Sequence, residues 1–369
     1  MNRHFNITLI ALTVFLWTSI SNVLKAQENE PLQVSPAQVT FFYPLGTDSR
    51  TSLLSSYHFS LNMLWGITGG VNGAEIGSLV NQTKGDLKGA QFGGVANLVS
   101  GRVLGGQFAG IINTSSVLRG VQFGGIVNLA DASSDEEDEL STGFQAAGIL
   151  NIESRSLEGA QMALINITKD NLKGAQIGGL FNKTSTLSGV QIGLINMADT
   201  VEKGVQIGLL NLVKHGMYTA MEIESNESFY ANATYKLGTP RFYSIISLGF
   251  KTQNQTEIWA PGFGFGTYFP VGNITGINID AISYHVNEGE WWTSEENSLH
   301  KLKVNCSFQV APKVTLFGGF SMNLSVSSIK DVEGIPTGSS LKTPGSFYEA
   351  TNAHRHLKLY PGFNAGIRF

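Results

Sequence analysis

Few residues in this chain have the types and spacing that chemistry needs. His58, Ser60 and Asn62 are two apart, so on a strand they share one face. A hydroxyl beside an imidazole suggests hydrolysis, yet neither order nor motif supports a triad, and a polar barrel interior also accounts for them. His354 and His356 bracket Arg355 and lack a third metal ligand nearby. Asp131, Asp135, Glu136, Glu137, Asp138 and Glu139 have the charge for Ca²⁺ without the Asp/Gly spacing of a binding loop, which fits a solvated loop. Gly262, Gly264 and Gly266, interleaved with Phe263 and Phe265, are wrongly spaced for a phosphate loop, and no helix pattern follows. They read as one strand, glycines inward and Phe outward. Glu288, Glu290, Trp291, Trp292, Glu295 and Glu296 share a long loop. The paired Trp are either part of an interfacial aromatic belt or an exposed sugar- or partner-binding patch. These residues yield no catalytic, cofactor-binding or metal assignment, and no cofactor is expected.

The elements that would position such residues follow from composition and period. Residues 1–26 have Arg3, an apolar run over 5–20 and the small residue Ala26 before Gln27, the pattern of a cleaved secretory signal. Cys306 is the single cysteine, so no intrachain disulfide framework exists. Formal charge is −4, which gives no basic footprint for nucleic acid. Beyond the signal no stretch approaches the length of a membrane helix. Charged residues are only 14%, and 43 of 369 residues are Gly. That is an exported all-β composition, with the outer membrane a possible destination.

Residues 67–213 form a tandem repeat. Its central Gln, Glu in the first copy, falls at 75, 91, 107, 122, 145, 161, 176, 191 and 206. The spacing is 15 or 16 residues except for the step from 122 to 145, which contains the acidic run. So short a period is one strand, a turn at Asn, a return segment and a turn at Gly: one coil of a β-solenoid. Nine coils at about 4.8 Å give a rod of roughly 40 Å. Identical residues then stack, and Gln and Asn bond along the rod as ladders. Val205, Ile207 and Leu209 would share one face, with Gln206, Gly208 and Leu210 on the other. The alternative makes each unit one strand of a membrane barrel.

Residues 27–66 and 214–369 read as barrel strands. Leu302, Val304, Cys306 and Phe308 alternate with Lys301, Lys303, Asn305 and Ser307, and the segments 315–326 and 357–369 alternate likewise. These runs are longer than a usual strand. Their connections alternate between tight turns, such as 238–240 and 311–313, and loops that lengthen to 328–356. Eight strands after the repeat and two before it give about ten, an even number that closes without an edge. Lipid would face the apolar stripes. By strand parity the repeat lies on the short-turn side or enters the interior as a plug.

The final ten residues, Tyr360 to Phe369, resemble the C-terminal signal of bacterial outer-membrane proteins. That resemblance implies insertion by the outer-membrane assembly machinery through the terminal Phe369. The Gly-x-Gln-x-Gly units, with Phe229-Tyr230 and the segment His285-Val286-Asn287-Glu288-Gly289-Glu290-Trp291, resemble a surface-repeat family of the Bacteroidota. The family lends compartment and fold and no functional residue. The expectation is a non-enzymatic outer-membrane protein acting in surface structure, partner contact or small-solute passage. An outer-membrane enzyme acting on lipid and a soluble secreted adhesin are the alternatives.

Overall fold

The structure is a computed structural model describing residues 32–131, 140–330, 334–341 and 343–369. The signal expected at 1–26, and all of the acidic run but Asp131, lie outside the described residues. Strand makes up 73% of the fold, with almost no helix, and the repeat forms a β-solenoid of about ten turns. The chain divides into two compact units, Met1–Arg155 and Ser156–Phe369.

In the first unit each turn is a longer and a shorter strand meeting at a corner. Leu87–Gly93 leads to Ala96–Val99, Val103–Ala109 to Ile112–Ser115, and Leu118–Gly124 to Val127–Ala130. Successive turns pair in parallel with repeat positions in register: Gly73, Gly89, Gly105, Gly120 and Gly143 stack, as do Asn81, Asn97, Asn113, Asn128 and Asn151. The meander alternative needed antiparallel neighbours, so it does not describe the repeat. The stacked glycines have φ between +129° and +155°. A Cβ on Gly120 would lie 1.9 Å from the Gly105 carbonyl oxygen, so only glycine permits this approach.

The segments ahead of the repeat, expected as barrel strands, belong to this stack instead. Gln33–Phe42 pairs in parallel with Ser55–Thr68, which pairs in parallel with Gly70–Gly77 and Val80–Thr83. A two-residue alternation marks a strand without naming its partner. Here the partner is set by Asn62, whose amide donates to Asn81 Oδ1 at 2.8 Å and starts the Asn ladder.

The second unit continues the same turn design through Leu157–Thr168, Asn171–Ile192, Ile195–Val201, Val205–Ile207 and Leu210–His215. It then changes to an antiparallel sheet. Its eight long strands are Tyr218–Asn226, Ala231–Thr239, Phe242–Gln253, Thr256–Pro270, Thr275–His285, Asn297–Ala311, Val314–Ser327 and His356–Arg368, and two short ones, Asn287–Glu288 and Tyr348–Thr351, bring the sheet to ten. Each long strand pairs with the next, and the last pairs back to the first through Glu222↔Arg368 and Ser225↔Ala365. The ring of long strands therefore closes on itself.

Its stripes have a definite sense. Leu302, Val304, Phe308, Phe320 and Phe363 are exposed on the outside, while Lys303, Asn305, Asp280 and Asn323 are fully buried inside. Gly262 and Gly266 face inward as expected; a Cβ on either would collide with the ring of Tyr284 or Tyr243.

Gly120→Ala should remove the close approach and cost about 1–3 kcal/mol in local strain. Hydrogen exchange should quicken across residues 103–124 while 218–369 stays unchanged. An unchanged exchange pattern throughout would contradict this account of the glycine column.

Candidate functional site

The residues with chemical potential gather in two places: the axis of the solenoid and the interior of the closed sheet. Along the solenoid, each Gln Nε2 donates to the Oε1 of the preceding turn: Gln107 to Gln91 at 2.9 Å, Gln122 to Gln107 at 2.7 Å, and in the second unit Gln191 to Gln176 at 2.7 Å. A column of donors pointing one way must end on an acceptor. Glu75 supplies it, receiving Gln91, Thr83, Asn62 and Ser60 at 2.7–3.1 Å. Burial raises the Glu75 carboxyl pKa, against the pull of these four donors. The one acidic variant of the repeat residue is thus the ladder's terminus.

Glu153 is a second buried carboxyl in the first unit. Burial pushes its pKa up to about 8, opposed by hydrogen bonds from Ser141 and the Arg155 backbone and by the Arg155 charge, and assisted by Asp131.

The interior of the closed sheet is filled rather than hollow. Near the 240–241 turn, Lys236 Nζ pairs with Asp280 at 2.7 Å and Glu222 at 2.9 Å, and Arg368 Nε reaches Glu222 at 2.7 Å. Tyr243 donates to Asp280 at 2.7 Å, and Arg368 Nη2 to Asn278 at 2.6 Å. In the next layer Lys303 pairs with Glu224 at 2.9 Å, while Asn232 donates to Glu224 and to the Tyr284 hydroxyl, each at 3.0 Å. A third layer joins Lys301 to Glu227 at 2.6 Å. Four acids (Glu222, Glu224, Glu227, Asp280) thus meet four bases (Lys236, Lys301, Lys303, Arg368).

Towards the longer loops the interior turns apolar, with Phe229, Ile258, Ile282, Leu299 and Tyr360 in one cluster that also includes Leu341 from the 328–355 loop. That loop is tied down: the Ser340 amide donates to Glu288 Oε2 at 3.0 Å and Gln253 donates to the Ser340 carbonyl. An open groove of about 580 Å³ beside it is lined by Glu288, Glu290, Glu295, Lys330 and His354.

The sequence candidates are dispersed by this arrangement. His58 and Ser60 do not share a surface: the buried positions along this strand are Tyr57, Ser60 and Asn62, which leaves His58 and Phe59 outside. His58 is exposed and contacts the Asn72 carbonyl, whereas Ser60 is buried against Glu75 and Gln38. His356 bonds Glu349 at 3.0 Å, away from His354 in the groove. Trp291 and Trp292 pack on Trp259 and His285 at one end of the closed sheet. Among the described residues no group of three or more His, Cys, Asp or Glu is placed to hold a metal. Sequence reasoning placed Lys301 and Lys303 on the polar stripe and missed their acidic partners on the 218–227 segment, because cross-sheet pairing has no short-range signal. No protein-family model, curated protein or solved structure matches the chain.

The geometry makes two predictions. Lys303→Met strands the buried Glu224 and should cost about 3–5 kcal/mol, whereas Lys303→Met with Glu224→Gln should restore much of that loss. Urea unfolding of the three proteins tests this; equal losses in the single and double variants would contradict it. For Glu153 the folded pKa lies above the unfolded one, so its stability contribution is complete below about pH 4.5 and is lost as pH rises through about 8. Glu153→Gln should flatten that slope and melt higher than the parent at pH 8.

Proposed function

We propose that this chain is an integral outer-membrane protein whose closed sheet spans the bilayer as a sealed anchor and whose solenoid offers a surface for partners. The observation that carries the reading is the inversion of the stripes. A water-soluble β protein turns its apolar face inward. Here the eight long strands, joined in a ring, turn ions and amides inward over the part nearer the 240–241 turn and an apolar cluster inward towards the longer loops, while Ile246, Ile279, Leu302, Val304 and Phe320 face outward. Hydrocarbon tolerates backbone only where every group is paired, and closure meets that demand. Large apolar side chains gathered on one exposed wall mark a membrane or partner surface rather than one that faces water.

Further support comes from the connections. Turns 240–241, 271–274 and 312–313 are short, and 286–296 and 328–355, on the opposite side, are long. The last strand ends at Arg368, and the backbone of the exposed Phe369 still pairs with Met221. An eight-stranded ring leaves room for side chains and little else. The balanced ion layers and the tied-down loop argue for a sealed interior over solute passage. His58 is exposed and Ser60 is buried against Glu75, which favours the anchor over a lipid-modifying enzyme built on the two.

The full chain should fractionate with the outer membrane and migrate faster on a gel unheated than boiled. In planar bilayers it should give no sustained conductance steps. A detergent-free soluble pool would overturn the membrane reading, and stable ohmic channels would overturn the sealed one.

A further inference from the structure

We propose that the solenoid turns of the second unit lie edge-on in the membrane leaflet next to the short turns, with their corner of apolar residues inserted among acyl chains. This rests on the membrane reading above and extends it to a part of the chain that does not span.

The first observation is that each turn is polarised in two opposite senses. At the end carrying Leu157, Leu172 and Leu187, the leucines are buried and Lys173 and Glu202 are exposed, as in a water-soluble fold. At the Gln–Asn corner the order reverses. Gln176, Gln191, Asn182 and Asn196 are fully buried, and the outer positions are Ile177, Leu180, Ile192 and Leu194, each about 40–45% exposed. That is the arrangement of the closed sheet's wall, repeated at one corner of every turn. The first unit has the same corner at Ile76, Phe92, Phe123 and Ile126, with Phe92 and Phe108 stacked at 5.0 Å.

Secondly, within the second unit the last turn is seated on the outer face of the closed sheet. Lys236 points inward, so Leu237 points outward, yet Leu237 is only 5% exposed. Its cross-strand neighbour Ser244 continues the Asn ladder: Asn211 Nδ2 donates to Ser244 Oγ at 2.6 Å, and Ser244 Oγ donates to the Gly208 carbonyl. The ladder bonds run along the solenoid axis, so the axis meets the wall from outside.

This seating fixes the depth of each edge. The charged edge lies level with the rim, where Arg241 Nη1 donates to the Glu202 carbonyl at 3.4 Å. Ser244, beside the apolar corner, lies three residues further along the strand, about 10 Å at strand rise. The corner thus sits at the level of the apolar belt and the charged edge at the level of the 240–241 turn. A lipid surface fits both; a second protein copy would have no reason to match the depth of the belt.

The test reconstitutes the full chain in phosphatidylcholine vesicles containing brominated acyl chains and reads quenching of an environment-sensitive thiol label. Cys306, on the outward stripe, reports the closed sheet. In a Cys306→Ser background, Ile177→Cys and Ile192→Cys report the corner, and Lys173→Cys and Lys203→Cys the charged edge. We expect a loss of emission at 177 and 192 comparable to that at 306, with none at 173 or 203. Quenching at 306 alone overturns the inference and leaves the membrane reading intact. Quenching at all five positions also overturns it, since the solenoid would then be immersed rather than edge-on. No quenching at 306 removes the membrane reading and this inference with it.

Discussion

Most polar side chains turned inward among the described residues find a partner inside, and that demand shapes both architectures. In the solenoid the partner is the same residue one turn away, so the demand is met by repetition. Gln107 donates to Gln91 as Gln191 donates to Gln176, and one Glu ends the column. In the closed sheet the partners lie across the interior, so it is met by complementary charge: Lys236 between Glu222 and Asp280, Lys303 against Glu224. An amide or ion buried without a partner costs more than the bond itself contributes, so these networks tolerate few substitutions.

With the interior polar, the apolar residues have only the outside. The two halves of a solenoid turn make the point most clearly. Where Leu172 fills the interior, Lys173 faces out; where Gln176 and Asn182 fill it, Ile177 and Leu180 face out. The same backbone carries both polarities, so the difference lies in the residue pattern and the surroundings it suits.

Much of this was legible in the sequence, and the reason is period. A residue that recurs every 15 or 16 positions stacks on itself, so the Gln and Asn columns follow from that spacing, while the strands from 218 to 369 follow from two-residue alternation. What spacing cannot give is a partner that does not repeat. Residues 38–45 read as strand and 57–65 alternate like a barrel strand, and only the long-range parallel pairing of Ser60 with Glu75 and Asn62 with Gly77 assigns this part of the chain to the solenoid. The burial of Ser60 against Glu75 while His58 stays exposed is equally silent. Leu341 and Ser340 closing the interior, and Ser244 receiving the last rung of the Asn ladder, depend on contacts across many residues between groups with no distinguishing motif.

The central claim is that the outward stripes of the closed sheet face hydrocarbon. Photolabelling in native membranes with a carbene reagent confined to the bilayer core, read by peptide mass spectrometry, tests it most directly. The account predicts adducts on outward Leu302, Val304, Phe320 and Phe363 and none on inward Lys303, Asn305 and Asn364. Adducts absent from the outward set, or spread equally over both, would contradict it.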